Sequence, residues 1–286
     1  MKELGPFFER MSDFWQLYKR NKAAVLGLVV ILFFSALAIL APILNLSSPF
    51  RSSASLLKEP RIGNPMGTDH LGRDVLSMVV WGSRTSLMIG FLSAALSAVI
   101  GTLMGAIPGY YGGIIDDFLM RIVDLLLVIP MFFLILLVVA LFGGGIFKIV
   151  AVIGLLSWPS IARVVRGQFL TLKERTFVEA ARAIGVKDRH IILRHILPNA
   201  IPPIVVNLTL QTGGAILTEA SLSFLGLGDP TQISWGMMIS DAQRFIGIAW
   251  WMAVFPSLAL SIVVLALNLV GDGLTDAINP RPPVRL

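Results

Sequence analysis

The sequence predicts an all-α polytopic membrane protein with six transmembrane helices, and three observations lead to this prediction. The 286 residues are 56% hydrophobic and only 14% charged, whereas soluble domains carry about 25% charged residues. Six apolar segments have lengths close to the roughly 20 residues that a membrane-spanning helix needs. The chain contains no cysteine, which excludes disulfides and thiolate metal sites.

The apolar segments follow one another along most of the chain. The first has no ionisable group, so we expect an uncleaved anchor rather than a signal peptide, whose apolar core spans about 7–15 residues. The third contains Asp124, for which an ionisable functional group at membrane depth and an ion pair with Arg121 one helical turn away are the two explanations. The fourth is the weakest, because Pro159 and Arg163 interrupt it. The segments are Ala23–Leu44, Thr85–Ile107, Ile122–Phe142, Ile149–Val165, Ile196–Thr218 and Phe245–Gly271.

An even number of spans places both ends of the chain on one side, and the charges predict that this side is the cytoplasm. More than two thirds of the 23 Lys and Arg residues then lie inside. This asymmetry explains the net charge of +6 without a nucleic-acid partner. The expected parts are a cytoplasmic segment 1–22, a first span 23–44, an extracytoplasmic loop 45–84, a core domain 85–275 with a cytoplasmic loop 174–198 and an extracytoplasmic loop 221–244, and a cytoplasmic tail 276–286.

Small residues recur at every fourth position of the second span. Such a stripe lets another helix approach closely within lipid, and we expect it to pack inside this chain or against a second subunit. The stripe consists of Ser93, Ser97, Gly101, Gly105 and Gly109. In the preceding outer loop, Asp69, Arg73 and Asp74 predict a local ion-pair cluster. We interpret this cluster as a structural clasp, the alternative being a contact with an external protein.

The cytoplasmic loop predicts two short helices joined by a turn. Thr176 and Glu179 have the spacing of a capping box, and Gly185 stands where a helix ends in a left-handed residue. Asp188 can cap the second helix, and Pro198 begins the next span. A small apolar face is expected from Phe177, Ala180, Ala181 and Ile184, with charges around it from Arg182, Lys187 and Arg189.

The helical loop has two interpretations. We call the two short helices and the turn between them the knob. A membrane protein has little reason to build such a charged element unless a soluble partner docks on it. The alternative is a basic loop that only fixes the topology.

Polar residues cluster on the fifth span and in the loop that follows it. Asn207, Gln211 and Glu219 lie on a proline-rich span, and a broken polar helix suits a water-filled path. Interhelical hydrogen bonding is the competing explanation. For Glu219, pathway lining and exposure at the membrane interface remain equally open. In the next loop, a short helix with Trp235 and Asp241 would dip back over the path.

No motif indicates catalysis. The sequence has no Gly-xxxx-Gly-Lys-Ser/Thr loop, so we expect no ATP hydrolysis by this chain, and no catalytic, cofactor or metal site is expected. An ion-coupled secondary transporter would need ionisable groups in the middle of the membrane, and the spans are largely uncharged. An intramembrane enzyme would need a pair of catalytic residues at matching depth.

Several motifs resemble one known family, the permease subunits of ATP-binding-cassette (ABC) importers. In particular, the chain is similar to the "C"-type subunit of the dipeptide, oligopeptide and nickel branch. The resemblance covers essentially the whole chain. The motifs are Glu179-Ala180-Ala181 with Gly185 and Ile196-Leu197-Pro198, the run from Gly67 to Asp74, the run from Ser221 to Gly228 with Ser234-Trp235-Gly236, and Gly271-Asp272-Gly273-Leu274 with Asp276 and Pro280-Arg281.

The resemblance implies a type I ABC importer fold in a bacterial or archaeal cytoplasmic membrane. It implies three kinds of partner besides lipids: a second, "B"-type permease, two cytoplasmic ATPases that bind ATP and Mg, and an external substrate-binding protein. The knob would be the coupling helix that docks on an ATPase. The implied substrates are peptides, with nickel chelates, glutathione and oligosaccharides as alternatives. The residues assigned to coupling are Glu179, Ala180, Ala181, Arg182, Gly185, Lys187, Asp188 and Arg189.

Overall fold

A computed structural model describes residues 14–44, 49–53 and 55–278 of the chain. Within these residues the regular structure is helical, with two isolated β-bridges in the loop after the first long helix. The helices are α1 Lys22–Leu40, α2 Val75–Tyr111, α3 Gly113–Val128, α4 Met131–Phe142, α5 Ile146–Lys173, α6 Thr176–Ala183, α7 Asp188–Phe224, α8 Trp235–Ala242 and α9 Trp251–Ile278.

Five of the described helices are long and apolar enough to cross a membrane, and the number is six if the bent pair α3–α4 is counted as one broken span. This agrees with the predicted all-α bundle. Residues 276–278 of the expected tail continue α9, and residues 279–286 lie outside the described residues. Residues 1–13 of the expected segment 1–22 also lie outside the described residues.

The third span is not the single helix that the sequence predicted. It bends by 82° between α3 and α4. The break falls at Ile129, which has an extended backbone with φ −76° and ψ 128°. Pro130 follows it, and a proline disfavours helical geometry in the residue before it. The sequence analysis treated this stretch as one span because its composition is apolar on both sides of the break.

The fourth span was expected to be weak, but α5 runs unbroken through Pro159 and Arg163. Packing against α2 explains this difference. A Cβ added at Gly101 would lie 2.7 Å from Ile161 Cβ, and one added at Gly109 would lie 2.6 Å from Phe169 Cβ. Glycine therefore lets the two helices touch, and the contact outweighs the local helix-breaking tendency of the proline.

Ion pairs join α3 to α5 on the same side of the bundle. Asp124 accepts a hydrogen bond from Arg163 at 2.6 Å, so the expected pairing with Arg121 is wrong. The reason is that Asp124 pairs with a residue of α5, whereas spacing along the sequence can identify only a partner on the same helix. Asp116 accepts two hydrogen bonds from Arg166, at 2.5 and 2.6 Å.

The close approach of α2 and α5 gives a test with a matched control. A Cβ at Gly105 would collide with the backbone oxygen of Ala162, which cannot move aside without moving the helix. Gly105→Ala should therefore cost about 1–2 kcal/mol after the better helix propensity of alanine is counted. We expect a lower apparent Tm of the purified protein in detergent.

Gly167→Ala is the control. This glycine lies inside α5 and is exposed, and an added Cβ there would meet no atom within 4 Å. The same substitution should leave the Tm unchanged or raise it slightly. Equal Tm values for the two variants would contradict the close contact.

Candidate functional site

Helix α6 ends in the left-handed turn that the sequence predicted. Gly185 has a φ of +78°. Its N–H donates to the Arg182 oxygen at 2.9 Å, and the Val186 N–H donates to the Ala181 oxygen at 3.0 Å. These two bonds form a Schellman motif. The motif reverses the chain tightly, so that α6 and the start of α7 form a compact knob.

The expected side-chain caps do not form. Arg175 is the N-terminal cap of α6, and no side chain bonds to the cap site. Thr176 already has a helical backbone, so its hydroxyl is not placed to accept from Glu179. Likewise, Lys187 rather than Asp188 precedes the next helix. Each prediction placed the helix start one residue too late.

The apolar residues of α6 divide into two sets. Val178 and Ala181 are buried against the rest of the chain, with 0% and 6% exposure. Phe177, Ala180 and Ile184 face outward, and Ile184 is 81% exposed. The expected single face is therefore split. Ala181 holds the knob on the bundle, whereas the outward set has no partner among the described residues.

The charged residues of the knob surround its outward apolar face. Among the candidates, Glu179 lies in the first turn of α6 and Arg182 in its last turn. Lys187 and Arg189 are exposed beyond the turn. An exposed apolar face with charges at its rim is the composition of a protein-docking surface.

Tyr110, at the end of α2, connects the knob to the membrane helices. Its hydroxyl donates to Asp188 Oδ1 at 2.6 Å, and the Arg182 guanidinium lies 5.4 Å from the ring centroid. Sequence reasoning did not identify this residue. The available signal was an aromatic pair, Tyr110 and Tyr111, directly after the glycine stripe.

Removing the Tyr110 hydroxyl should loosen the knob. Hydrogen bonds to charged groups contribute about 1.5–3 kcal/mol, so Tyr110→Phe should speed amide hydrogen exchange across residues 176–190 about tenfold or more. Mass spectrometry of the exchanged protein measures this directly. Tyr111→Phe is the control, because Tyr111 is 54% exposed and no hydrogen bond of its hydroxyl is found within the described part of the chain. Equal exchange in both variants would contradict the role of Tyr110.

A mostly apolar groove with four polar side chains in its lining, which we call the polar groove, lies between α5, α7 and the bend of α3–α4. It has a volume of about 290 Å³. Gln211 lines the groove, and its Nε2 donates to Ser160 Oγ at 2.6 Å while its Oε1 accepts from Ser97 Oγ at 3.2 Å. Gln211 therefore bridges three helices while it also lines the groove. The groove is lined by Leu127, Met131, Ile153, Ser157, Ser160, Gln211, Gly214, Ala215 and Thr218.

The groove side of α7 carries small and polar residues at alternating spacings of four and three. These positions lie on one helix face. The residues are half-buried or exposed in this chain: Asn207, Gln211, Gly214, Thr218 and Ser221. Asn207 also donates to the Pro203 oxygen of its own helix at 3.0 Å.

The other path candidates lie elsewhere. Glu219 is 2% exposed and accepts from Ser223 and Ser234, each at 2.7 Å, so neither expected role matches its position. It holds α8 against α7. Trp235 is fully buried and donates to the Val79 oxygen at 3.0 Å. Both are packing residues of the bundle because they lie between helices of the same chain.

An ion-pair clasp holds α8 at the end of the bundle opposite the knob. Arg73 Nε donates to Asp69 Oδ2 at 2.5 Å, and its Nη2 lies 3.3 Å from Asp241 Oδ2. Asp74 instead caps α2, accepting from the Ser77 N–H at 2.9 Å. The expected cluster is therefore confirmed for Asp69 and Arg73, and it recruits Asp241 from the distant loop.

The bundle, the docking knob and the polar groove define a membrane transport subunit. Two sequence families confirm this class. Residues 97–282 match the family described as binding-protein-dependent transport system inner membrane component. Residues 10–59 match the N-terminal transmembrane domain of oligopeptide transport permease C. The chain belongs to this family of inner membrane transport components, whose members are permeases and not enzymes.

Curated relatives cover nearly the whole chain. The dipeptide transport system permease protein of Alkalihalophilus pseudofirmus is 41% identical over 92% of this chain and 87% of its own length. The glutathione transport system permease protein of Pectobacterium atrosepticum is 40% identical over 94% of this chain and 90% of its own length. The resemblance proposed from the motifs is therefore confirmed at the level of the family.

The fold is also that of a solved transporter. The chain superposes on a subunit of the MetNI methionine ABC transporter in an inward-facing conformation with a TM-score of 0.56 and 21% identity. The superposition covers 71% of this chain and 96% of the other. A second crystal form gives the same TM-score with 23% identity. This similarity confirms the type I ABC importer fold.

Proposed function

We propose that this chain is the "C"-type permease subunit of an ATP-driven importer for dipeptides or short oligopeptides. Its neighbours would be a "B"-type permease, two ATPases that bind ATP and Mg, and an external binding protein. The membrane would be a bacterial or archaeal cytoplasmic membrane, with both chain ends inside. We call the end with α8 and the clasp the outer end.

The exposed apolar face of α6 is the observation that carries the coupling part of the proposal. Ile184 is 81% exposed on a helix that is already anchored by Val178 and Tyr110. An apolar patch kept in water without a partner is unfavourable, so it fits a site that an ATPase covers. The charges of Glu179, Arg182, Lys187 and Arg189 would fix the orientation of docking.

The groove between α5 and α7 supports the transport part of the proposal. A peptide crossing the membrane needs polar groups that replace water, and Gln211, Ser157 and Ser160 provide donors and acceptors. Because α3 and α4 are poorly covered by their own chain, a second permease would complete the wall. Asn207 and Thr218 extend the same face toward the two ends.

Alternating access would follow from linkage between the sites. ATP and loaded binding protein would both favour the same conformation, so that each stabilises a state in which the path opens outward. Tyr110 would transmit movement of the knob to α2. The two named relatives transport a dipeptide and glutathione, and both compounds are peptides with free amino and carboxylate groups.

Two rival functions fit the structure less well. An ion-coupled secondary transporter needs a relay of ionisable groups, whereas the groove is lined by neutral side chains. That rival also leaves the exposed face of α6 unexplained. An intramembrane enzyme would need reactive groups in the groove, and its serines lack an adjacent histidine or carboxylate in the lining.

The left-handed turn offers a test of coupling. Gly185→Val should cost about 1–2 kcal/mol of backbone strain, because β-branched residues disfavour a φ of +78°. We expect peptide uptake by the reconstituted complex to fall several-fold relative to ATP hydrolysis. An added Cβ meets no atom within 4 Å, so the effect would not arise from a clash.

Gly185→Asn is the matched control for this test, since asparagine tolerates the left-handed region. It should keep the ratio of transport to ATP hydrolysis near that of the unmodified complex. Unchanged coupling in the valine variant would argue against the knob as the coupling element.

The whole proposal is tested by uptake into vesicles that contain the purified complex. Labelled dipeptide should accumulate only with ATP and a loaded binding protein, and an ion gradient alone should give no uptake. Uptake driven by the gradient without ATP would favour the secondary transporter.

A further inference from the structure

A second groove lies between α1 and α2, near the outer end of the bundle. Its volume is about 390 Å³. The walls are apolar except for one hydroxyl and one guanidinium. The lining residues are Ser35, Ala38, Ile39, Pro42, Arg84, Leu87, Met88 and Phe91.

Arg84 is the charged residue of this groove. Its side chain is exposed, and none of the hydrogen bonds or ion pairs found within the described ranges involves it. It directly precedes the uncharged run Thr85–Ile107 of α2. Arg84 lines the groove together with Pro42, which lies just past the end of α1. Arginine side chains near the end of a membrane-spanning segment extend toward the headgroup region of the bilayer.

The groove faces away from the polar groove of the transport path. Arg84, Leu87, Met88 and Phe91 follow a spacing of three and four and share one face of α2. The opposite face carries Ser93 and Ser97, which bond to α5 and α7. Helix α2 thus separates the two grooves. The groove at Arg84 lies on the face of α2 that points away from α5 and α7.

We propose that this groove binds a phospholipid, with the phosphate at Arg84 and an acyl chain along Leu87, Met88 and Phe91. A guanidinium offers five donors in a planar fork that matches phosphate oxygens. The apolar walls match a hydrocarbon chain, and Phe91 and Ile39 are exposed there. One side chain thus supplies the charge complementarity, and the neighbouring turns supply the apolar surface.

Native mass spectrometry of the purified complex titrated with phosphatidylglycerol tests this proposal. Arg84→Gln should weaken binding of the lipid about tenfold or more, because a charge-assisted contact is lost. The affinity of Arg84→Lys for the lipid should lie between those of the unmodified protein and Arg84→Gln, since lysine keeps the charge but lacks the planar fork of donors. Arg61→Gln is the control, because Arg61 is also exposed in the outer loop but lies away from the groove. It should change the affinity by less than about twofold.

Two further experiments test whether the groove binds the acyl chain as well as the phosphate group of the lipid. Met88→Trp should fill the groove and weaken phosphatidylglycerol binding although Arg84 remains. Inorganic phosphate in excess should not displace the lipid, because the acyl chain contributes to binding. The apparent Tm measured without lipid should be the same in all variants, since the altered side chains are exposed or half-buried.

Several results would overturn the proposal. Equal losses for Arg84→Gln and Arg61→Gln would mean that surface charge alone attracts the lipid. Full binding in Met88→Trp, or displacement by inorganic phosphate, would mean that the groove holds no acyl chain. Absence of phosphatidylglycerol binding to the unmodified complex would also overturn the proposal.

Discussion

Helix α2 packs closely on α5 at three glycines spaced four residues apart, and the other elements depend on this contact. A Cβ added at Gly105 would first meet a backbone oxygen of α5, so there is no room for a side chain between the two helices at this point. Lipid gives no hydrophobic drive between apolar helices, and close packing of small residues supplies the attraction instead. Helix α5 continues past Pro159 and carries one wall of the polar groove.

Because α2 has 37 residues, it is roughly 55 Å long at 1.5 Å per residue and reaches both ends of the bundle. Tyr110 joins one end to the knob, and the Asp74 cap with the Arg73 clasp joins the other end to α8. Movement of the knob would therefore reach the outer end through one continuous helix packed along α5. Coupling by a discrete rigid element of this kind needs no chain of small side-chain shifts between the sites.

The sequence predicted the helical class, the glycine stripe and the turn at Gly185, because each depends on local composition or backbone geometry. Features that depend on tertiary neighbours could not be predicted in this way. Asp124 had a plausible partner on its own helix, whereas its actual partner, Arg163, comes from α5. Glu219 and Trp235 were assigned to the path from polarity and loop position, although both are buried between helices. Polarity alone does not distinguish lining a path from packing inside the bundle.

The central claim is that the outward face of α6 binds an ATPase, and site-specific photocrosslinking tests it most directly. A benzophenone side chain at Ile184 should form a covalent adduct with an ATPase subunit in native membranes. The same group at Ile248 is the comparison, because Ile248 is similarly exposed, at 70%, near the outer end of the bundle. That position should give no such adduct. Adducts with an ATPase at both positions, or at neither while the complex is intact, would contradict the claim.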